Sequence, residues 1–331
     1  MTQVTAGMAM SEAGSQPAGG SMRSIVLYAM AAAFMSVSPL IVFVPVAYIS
    51  AGLRNGRKGE IGAVAGSVLL LAILASLTSA PGAFPGRFAE ILGFLLALGV
   101  PSGVVVLMMR RGAEFGHVMM AAMITSLLGL FVTELVMRAA FGISPYGMML
   151  ANFHAQSEAT IELYRRLGWS EDKLGQMATM AKTFTGSYLV LMLQALVATM
   201  FTLSLIMIPR LPVGRITGGT YLLRNLRFPD ALLFGFVLGG ASPLASGSLR
   251  VAGLNLLGIT IVLYSLQGLA IVRATLLRVG LGLGGTVIAA LIIGLFVPLS
   301  LGVLFLLGLF DPFFDFRKMK RKDDSDESHT D

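Results

Sequence analysis

Cysteine is absent from the 331 residues, which excludes disulfides, thiolate metal ligands and cysteine nucleophiles. Histidine is nearly absent: His117, His154 and His329 are the full set, and none stands at the short spacing that lets two imidazoles share a zinc ion. No metal and no other cofactor is therefore expected. Charge is scarce too. Asp, Glu, Lys and Arg make up 12 % of the chain against 56 % hydrophobic residues, and the mean hydropathy is +0.82. An ordinary soluble domain carries about 25 % charged residues, and no polar stretch here is long enough to enclose a core of its own. Walker A, HExxH and GxSxG sequences are also missing, which removes the support for nucleotide, peptide or ester hydrolysis. Gly280, Gly282 and Gly285 fit a GxGxxG count, but no strand precedes them and an apolar helical pattern follows, so they are no dinucleotide loop.

What the chain does have is ten apolar stretches. Crossing about 30 Å of hydrocarbon takes roughly 20 residues of helix, and the stretches at 60–79, 88–109, 117–140, 185–209 and 251–271 meet that length. Residues 24–37 and 39–53 are parted only by Ser38 and Pro39, and 280–296 and 299–312 only by Val297 and Pro298. Each pair is either a hairpin of short helices or one long kinked span. The stretch at 229–243 is short and ends in a Gly-Gly-Ala-Ser-Pro run, where a helix breaks. The fold expected is all-α: one polytopic transmembrane helical bundle of about 8 to 10 segments over residues 22–317.

The formal charge of +7 and the isoelectric point near 9.9 would suit a nucleic-acid partner if the cations lay on one soluble face. They are dispersed through short loops instead, so no nucleic acid is expected and the bilayer is the partner. With ten crossings and both termini cytoplasmic, the inner side receives Arg23, Arg54, Arg57, Lys58, Arg110, Arg111, Arg210, Arg215, Arg224, Arg227, Arg273, Arg278 and the cations from Arg317 onward. That asymmetry is the positive-inside pattern of a cytoplasmic (inner) membrane protein. Merging the last apolar pair into one span would throw the basic tail outside, which favours a hairpin there. Residues 1–21 lack a basic region before an apolar core and read as a disordered cytoplasmic leader, and 318–331 as a charged cytoplasmic tail.

Residues 144–184 form the one sizeable polar connection, placed outside the cytoplasm. Ser157 is positioned to cap a first helix that Gly168 ends, and Ser170 a second with Glu171 and Asp172 in its first turn. Such a pair either lies on the outer membrane surface or forms a lid over a binding site.

Within the apolar stretches a few polar groups stand out. Glu134 and Arg138, at i and i+4, share a helix face as an ion pair, and are either functional at membrane depth or reach to water at the interface. Glu90 invites the same two readings. In 251–271, Thr260, Tyr264 and Gln267 share a face while Asn255 is rotated away from Tyr264. This stripe must meet protein or a cavity, so it either ties helices together or contacts a ligand. Small residues four apart, among them Ala29 with Ala33, Gly62 with Gly66 and Gly235 with Gly239, allow close helix approach.

The run from Asn255 through Tyr264 and Gln267 to Gly268, followed by Leu307-Gly-Leu-Phe-Asp311-Pro-Phe-Phe-Asp315-Phe-Arg317, resembles the YybS-like bacterial membrane family, domain of unknown function 2232. The likeness covers essentially the whole chain, including the Tyr164 to Glu171 segment. It implies a polytopic inner-membrane protein, similar in helix organisation to the substrate-binding S components of energy-coupling-factor transporters. In those, alanines spaced by four on the first helix dock a coupling subunit, and Ala29 and Ala33 would correspond. The expected function is that of a non-enzymatic membrane protein. It either binds a small molecule as a transporter component, through Asn255, Tyr264, Gln267, Glu134 and Arg138, or acts as a scaffold or assembly factor. Partner docking would fall to Ala29 and Ala33, or to Asp311, Asp315 and Arg317 where the last helix leaves the membrane. The partners would be a coupling subunit with its ATPase, or envelope proteins.

Overall fold

The computed structural model describes residues 22–78, 84–211, 221–314 and 316. The expected leader 1–21, the tail from 318, Asp315 and Arg317 lie outside them. Among the described residues the chain is helical throughout, with no strand, and each of the ten apolar stretches is found as helix. Helix α1 is Met22–Ser36 and α2 is Val44–Thr78, joined by a 3-10 turn at Pro39–Phe43 that Ser38 caps by accepting the Leu40 N–H. Gly56 sits inside α2 at φ 73° and ψ −170°, a conformation that a Cβ would oppose. There the helix folds back on itself. Tyr48 Oη lies 2.6 Å from Ser67 Oγ, whereas 19 residues of unbroken helix would hold them about 28 Å apart. Ser67 donates its own proton to Val64 O, so Tyr48 is the donor across the hairpin. The first apolar pair therefore also reverses: Ser24 Oγ donates to Asn55 Oδ1 at 3.1 Å, bringing the start of α1 to the tip of the α2 hairpin.

Helices α3 (Phe84–Phe94) and α4 (Val100–Arg110) make one rod through a π-turn at Leu95–Gly99. Helix α5, Phe115–Phe141, ends in a Schellman turn: Gly142 at φ 65° donates to Arg138 O, and Ile143 to Met137 O. Then come α6 (Pro145–Arg166), α7 (Glu171–Met207), α8 (Leu232–Gly240), α9 (Gly247–Arg278), α10 (Leu283–Leu295) and α11 (Val297–Phe314). Six described stretches are long and apolar enough to cross a membrane, the first of them, Pro39–Leu77, containing the reversal at Gly56. Helices α1, α8 and α10, of 15, 9 and 13 residues, are about 22, 13 and 20 Å long and fall short of a full crossing. A single non-helical residue, Phe296 at φ −119° and ψ 46°, separates α10 from α11.

The polar connection departs from its sequence reading in two ways. Its first helix begins at Pro145, not at Ser157, because Ser144 is the better cap: its hydroxyl accepts the Gly147 N–H at 3.0 Å, and Pro145 occupies the first helical position. Its second helix starts after Ser170 as expected but does not stop. It runs on as the 37-residue α7, so one rod serves both the connection and the following span. Helices α6 and α7 form an antiparallel hairpin. His154 Nε2 meets Thr185 Oγ1 at 2.9 Å, and because the threonine donates to Ala181 O, the imidazole is the donor. At the far turn Tyr164 and Trp169 stack at 4.6 Å with Lys173 over the indole. Glu162 accepts from Arg165 and Arg166, which hold its carboxyl below the usual range.

One end of the bundle is basic. Arg110 Nη2 donates to Gly52 O at 2.7 Å, Tyr221 Oη to Ala113 O at 2.7 Å, and Phe115 stands edge-on to Tyr221, whose phenol burial pushes up. These contacts gather the turns bearing Arg23, Arg54, Arg57, Lys58, Arg110, Arg111, Arg224 and Arg227. The α6–α7 hairpin leaves from the opposite end.

The tightest helix crossing joins α9 to α11. A Cβ on Gly268 would stand 1.9 Å from Leu304 O, and one on Gly308 1.9 Å from Tyr264 O, so the two backbones touch through reciprocal glycines. Gly308→Leu is expected to lower the melting temperature in detergent by overpacking worth about 1–3 kcal/mol or more, while Gly302→Leu, which meets open space, leaves it unchanged. Equal melting of both variants would contradict the crossing.

Candidate functional site

The polar stripe of α9 is where sequence reasoning and structure meet. Gln267 is fully buried and ties three elements. Its Oε1 accepts the Phe228 N–H at 2.9 Å, and its Nε2 donates to Gly308 O at 3.3 Å and to Asp311 Oδ2 at 3.1 Å. The glycine crossing makes this possible, since it brings the α11 backbone within reach of a glutamine side chain. Asp311 is thus 3 % exposed, inside the bundle. Near the end of the last helix its carboxylate faces Gln267, which offers it a donor that lipid does not. Tyr264, one turn earlier, is buried edge-on between Phe236 at 6.5 Å and Phe305 at 6.4 Å.

Asn255 makes a second tie. Its Nδ2 donates to Ser187 O at 2.5 Å and Val251 O at 2.8 Å, and its Oδ1 accepts the Leu191 N–H at 2.9 Å. Ser187 O and Leu191 N are the two partners of one i to i+4 rung of α7, so a single amide clasps both halves of that rung. Asn255 and Gln267 lie about 18 Å apart along α9. Thr260 bonds only its own helix, donating to Leu257 O.

Glu134 and Arg138 stand at the other end of the molecule, on α5. Arg138 Nε donates to Glu134 Oε1 at 2.6 Å; the same carboxylate accepts from Ser144 Oγ at 2.5 Å and from the Tyr146 N–H at 2.9 Å. A carboxylate on first-turn donors is a helix cap at long range, and it fixes the root of the α6–α7 hairpin to α5. Ala29 is buried against Gly66, where an added Cβ would come within 2.9 Å of the alanine methyl, and Ala33 is half-buried. The structure therefore brings Gln267, Tyr264 and Asp311 together, and places Asn255, the Glu134–Arg138 pair and the alanines in three other packing contacts.

Sequence reading missed Glu60. It lies in the second arm of α2, in the fields of Arg110 and Arg57, and its Oε1 occupies the space that a Cβ on Gly103 would need, 2.2 Å away. An acid at the start of a long apolar run was the available signal. Two described grooves are lined by other residues: one of about 270 Å³ beside Arg87 and Glu90, and one of about 220 Å³ between α6 and α7 at Phe153 and Met177.

Two outcomes check these assignments. Gln267→Leu strands the buried Phe228 N–H and is expected to destabilise the detergent-solubilised protein by about 1–3 kcal/mol; an unchanged melting curve would remove the tie. Glu134→Gln weakens the cap, so hydrogen exchange should quicken at the amides of 146–149 while the α4 amides stay protected.

A family model described as "Predicted membrane protein (DUF2232)" matches residues 24–312. No curated protein and no solved structure matches the chain. With helical spans across the matched region, the chain belongs to the DUF2232 family of predicted membrane proteins.

Proposed function

We propose that this protein is a non-catalytic scaffold of the cytoplasmic membrane, which holds the α6–α7 hairpin clear of the bilayer as a docking arm for another envelope protein. The observation that carries the reading is a contrast. Asn255, Gln267 and Glu134 are each engaged with neighbouring backbone, whereas the hairpin turn presents Leu163, Leu167 and Trp169 at 55 %, 64 % and 45 % exposure. Helix α6 has no buried residue and is too polar for lipid, so its apolar tip stands where a partner can cover it. The basic end of the bundle faces the cytoplasm by the positive-inside rule, with both termini on that side and the hairpin outside.

A photo-crosslinking residue at Leu167, introduced in intact cells, should trap one defined protein that Leu163→Asp abolishes without loss of membrane insertion. A reporter fused after Arg166 should score extracytoplasmic, and one after Gly112 cytoplasmic. Crosslinks to lipid alone, or a cytoplasmic score for the hairpin, would defeat the scaffold reading.

A second reading, a small-molecule carrier of S-component type with an ATPase partner, is favoured by Ser50 Oγ, Ser126 Oγ and Gln194 Nε2. All three are buried polar atoms with no hydrogen-bond partner, and an unmet polar group in hydrocarbon costs several kcal/mol. Mass spectrometry of small molecules co-purifying with the wild type, and missing from Gln194→Leu, would support this carrier over the scaffold.

A further inference from the structure

The first hairpin is too short for the wall it packs on, and the mismatch leaves a notch. Helix α1 runs parallel to the second arm of α2, with Ile25 against Gly62 and Ala29 against Gly66. Continuing that pairing puts Ser36, the last residue of α1, beside about residue 73, whereas α2 continues to Thr78. The rod of α3 and α4 runs the other way along the same arm, as Glu60 against Gly103 of α4 and Val64 against Gly99 of the π-turn show, and α3 continues that course. Above the end of α1, α2 and α3 therefore stand as two walls with no third helix between them among the described residues. The result is the groove of about 270 Å³. Val37 forms its floor, Leu71, Leu74 and Ile91 its sides, and Arg87 and Glu90 its mouth.

Position and chemistry both select a lipid. The notch lies at the end of the bundle away from the basic turns, near the top of the spans, and opens sideways, where bilayer is the surrounding medium. Its walls are apolar. Its mouth carries one charge of each sign: Arg87 Nη1 and Glu90 Oε2 are 2.8 Å apart, both about half exposed. The π-turn at Leu95–Gly99 supplies a separate pointer. Such a turn holds one residue more than an α-turn and so rotates everything before it by about 100° relative to an unbroken helix. That rotation brings the Arg87–Glu90 face round to the notch. The wall below is held by Phe94, edge-on to Tyr48 at 6.4 Å.

We propose that this groove is a seat for one phospholipid of the extracytoplasmic leaflet with a zwitterionic, amine-bearing head. The lipid phosphate lies on the guanidinium fork of Arg87, the amine on Glu90, and one acyl chain along Leu71, Leu74 and Ile91. A mouth with no net charge disfavours a net-anionic head, because Glu90 repels what Arg87 attracts. The volume, just below the usual range of ligand pockets, suits part of a head and a chain segment.

The test is retention of lipid by the full chain. The protein is equilibrated in an equimolar mixture of phosphatidylethanolamine and phosphatidylglycerol, extracted in mild detergent and examined by native mass spectrometry. Wild type should keep phosphatidylethanolamine at least threefold over phosphatidylglycerol. Glu90→Gln should reverse that preference toward phosphatidylglycerol, because the mouth then carries a net positive charge. Arg87→Gln with Glu90→Gln should remove the preference, and Ile91→Trp, which fills the groove and leaves both charges, should lower retention of either lipid. Wild-type adducts in the ratio of the mixture, or a preference untouched by Glu90→Gln in protein with wild-type melting, would overturn the seat. The choice of leaflet rests on the topology proposed above, whereas the crosslinking experiment reads residues 163–169 and the lipid experiment residues 87–91, so seat and docking arm can fail separately.

Discussion

Hydrocarbon offers no partner to an N–H or a carbonyl, and this organises the molecule. Helices satisfy their own backbones, so wherever a helix frays, turns or is entered by a polar side chain, another part of the chain must meet the need. Gln267 is the clearest case. The loop carrying Phe228 enters the core with a free N–H, Gln267 accepts it, and the glutamine amide then requires an acceptor that Gly308 and Asp311 supply. The reciprocal Gly268 and Gly308 contact and the glutamine bridge support each other. Without the close approach the amide could not reach α11, and without the amide the loop would leave a polar hole beneath α9.

The same constraint explains why irregular backbone occurs where it does. Gly56 reverses α2 at the basic end, beside Arg54, Arg57 and Arg110, where polar groups and water are near. Leu95–Gly99 widens to a π-turn inside the bundle, and there Gly129 lies against it, an added Cβ standing 2.2 Å from Leu96 O. Packing on a bare glycine shields carbonyls that the wider turn displaces. The short α1 and α8 are tolerated for a related reason. Each pairs along its whole length with a longer neighbour, α1 with α2 and α8 with α9, so neither needs to cross the bilayer alone.

How much of this could be read from sequence follows from the range of each signal. Hydropathy is local, and the ten apolar stretches all appear as helix. The turn at Gly56 was marked by the basic cluster beside it, whereas Ser38–Pro39 left a hairpin and one kinked span both open until the Ser24 to Asn55 contact decided for reversal. The start of α7 after Ser170 was legible because Ser170 with Glu171 and Asp172 is a local signal. The start of α6 was misplaced although its signal, Ser144 before Pro145, is local; what could not be read was Glu134, ten positions earlier, which fastens that start to α5. The stripe of α9 was visible as polar residues on one face, but whether it faced ligand or protein depends on Ser187, Phe228 and Gly308, far away in the chain. The place of Asp311 near the end of the last helix was legible from the cations that follow it, but its partner was not, since only the Gly268 and Gly308 crossing brings it to Gln267. The π-turn left no sequence mark at all.

The two readings open for residues 144–184, a pair on the outer surface or a lid, differ in what they ask of α7, and the geometry bears on the choice. A lid needs a hinge where a few residues absorb a change in φ and ψ. Helix α7 is unbroken from Glu171 to Met207, about 55 Å of rod. At the level where it leaves the bundle, the rung between Ser187 and Leu191 is clasped by Asn255. Half a turn further out, Thr185 is bonded to His154 of α6, and the root of α6 is fastened to α5 by Glu134. Swinging the hairpin would break three sets of half-buried hydrogen bonds at once. Gly186, between Thr185 and Ser187, is the one place in that stretch where the backbone could bend more easily, and the bonds on either side of it brace the rod there, as the docking arm proposed above requires.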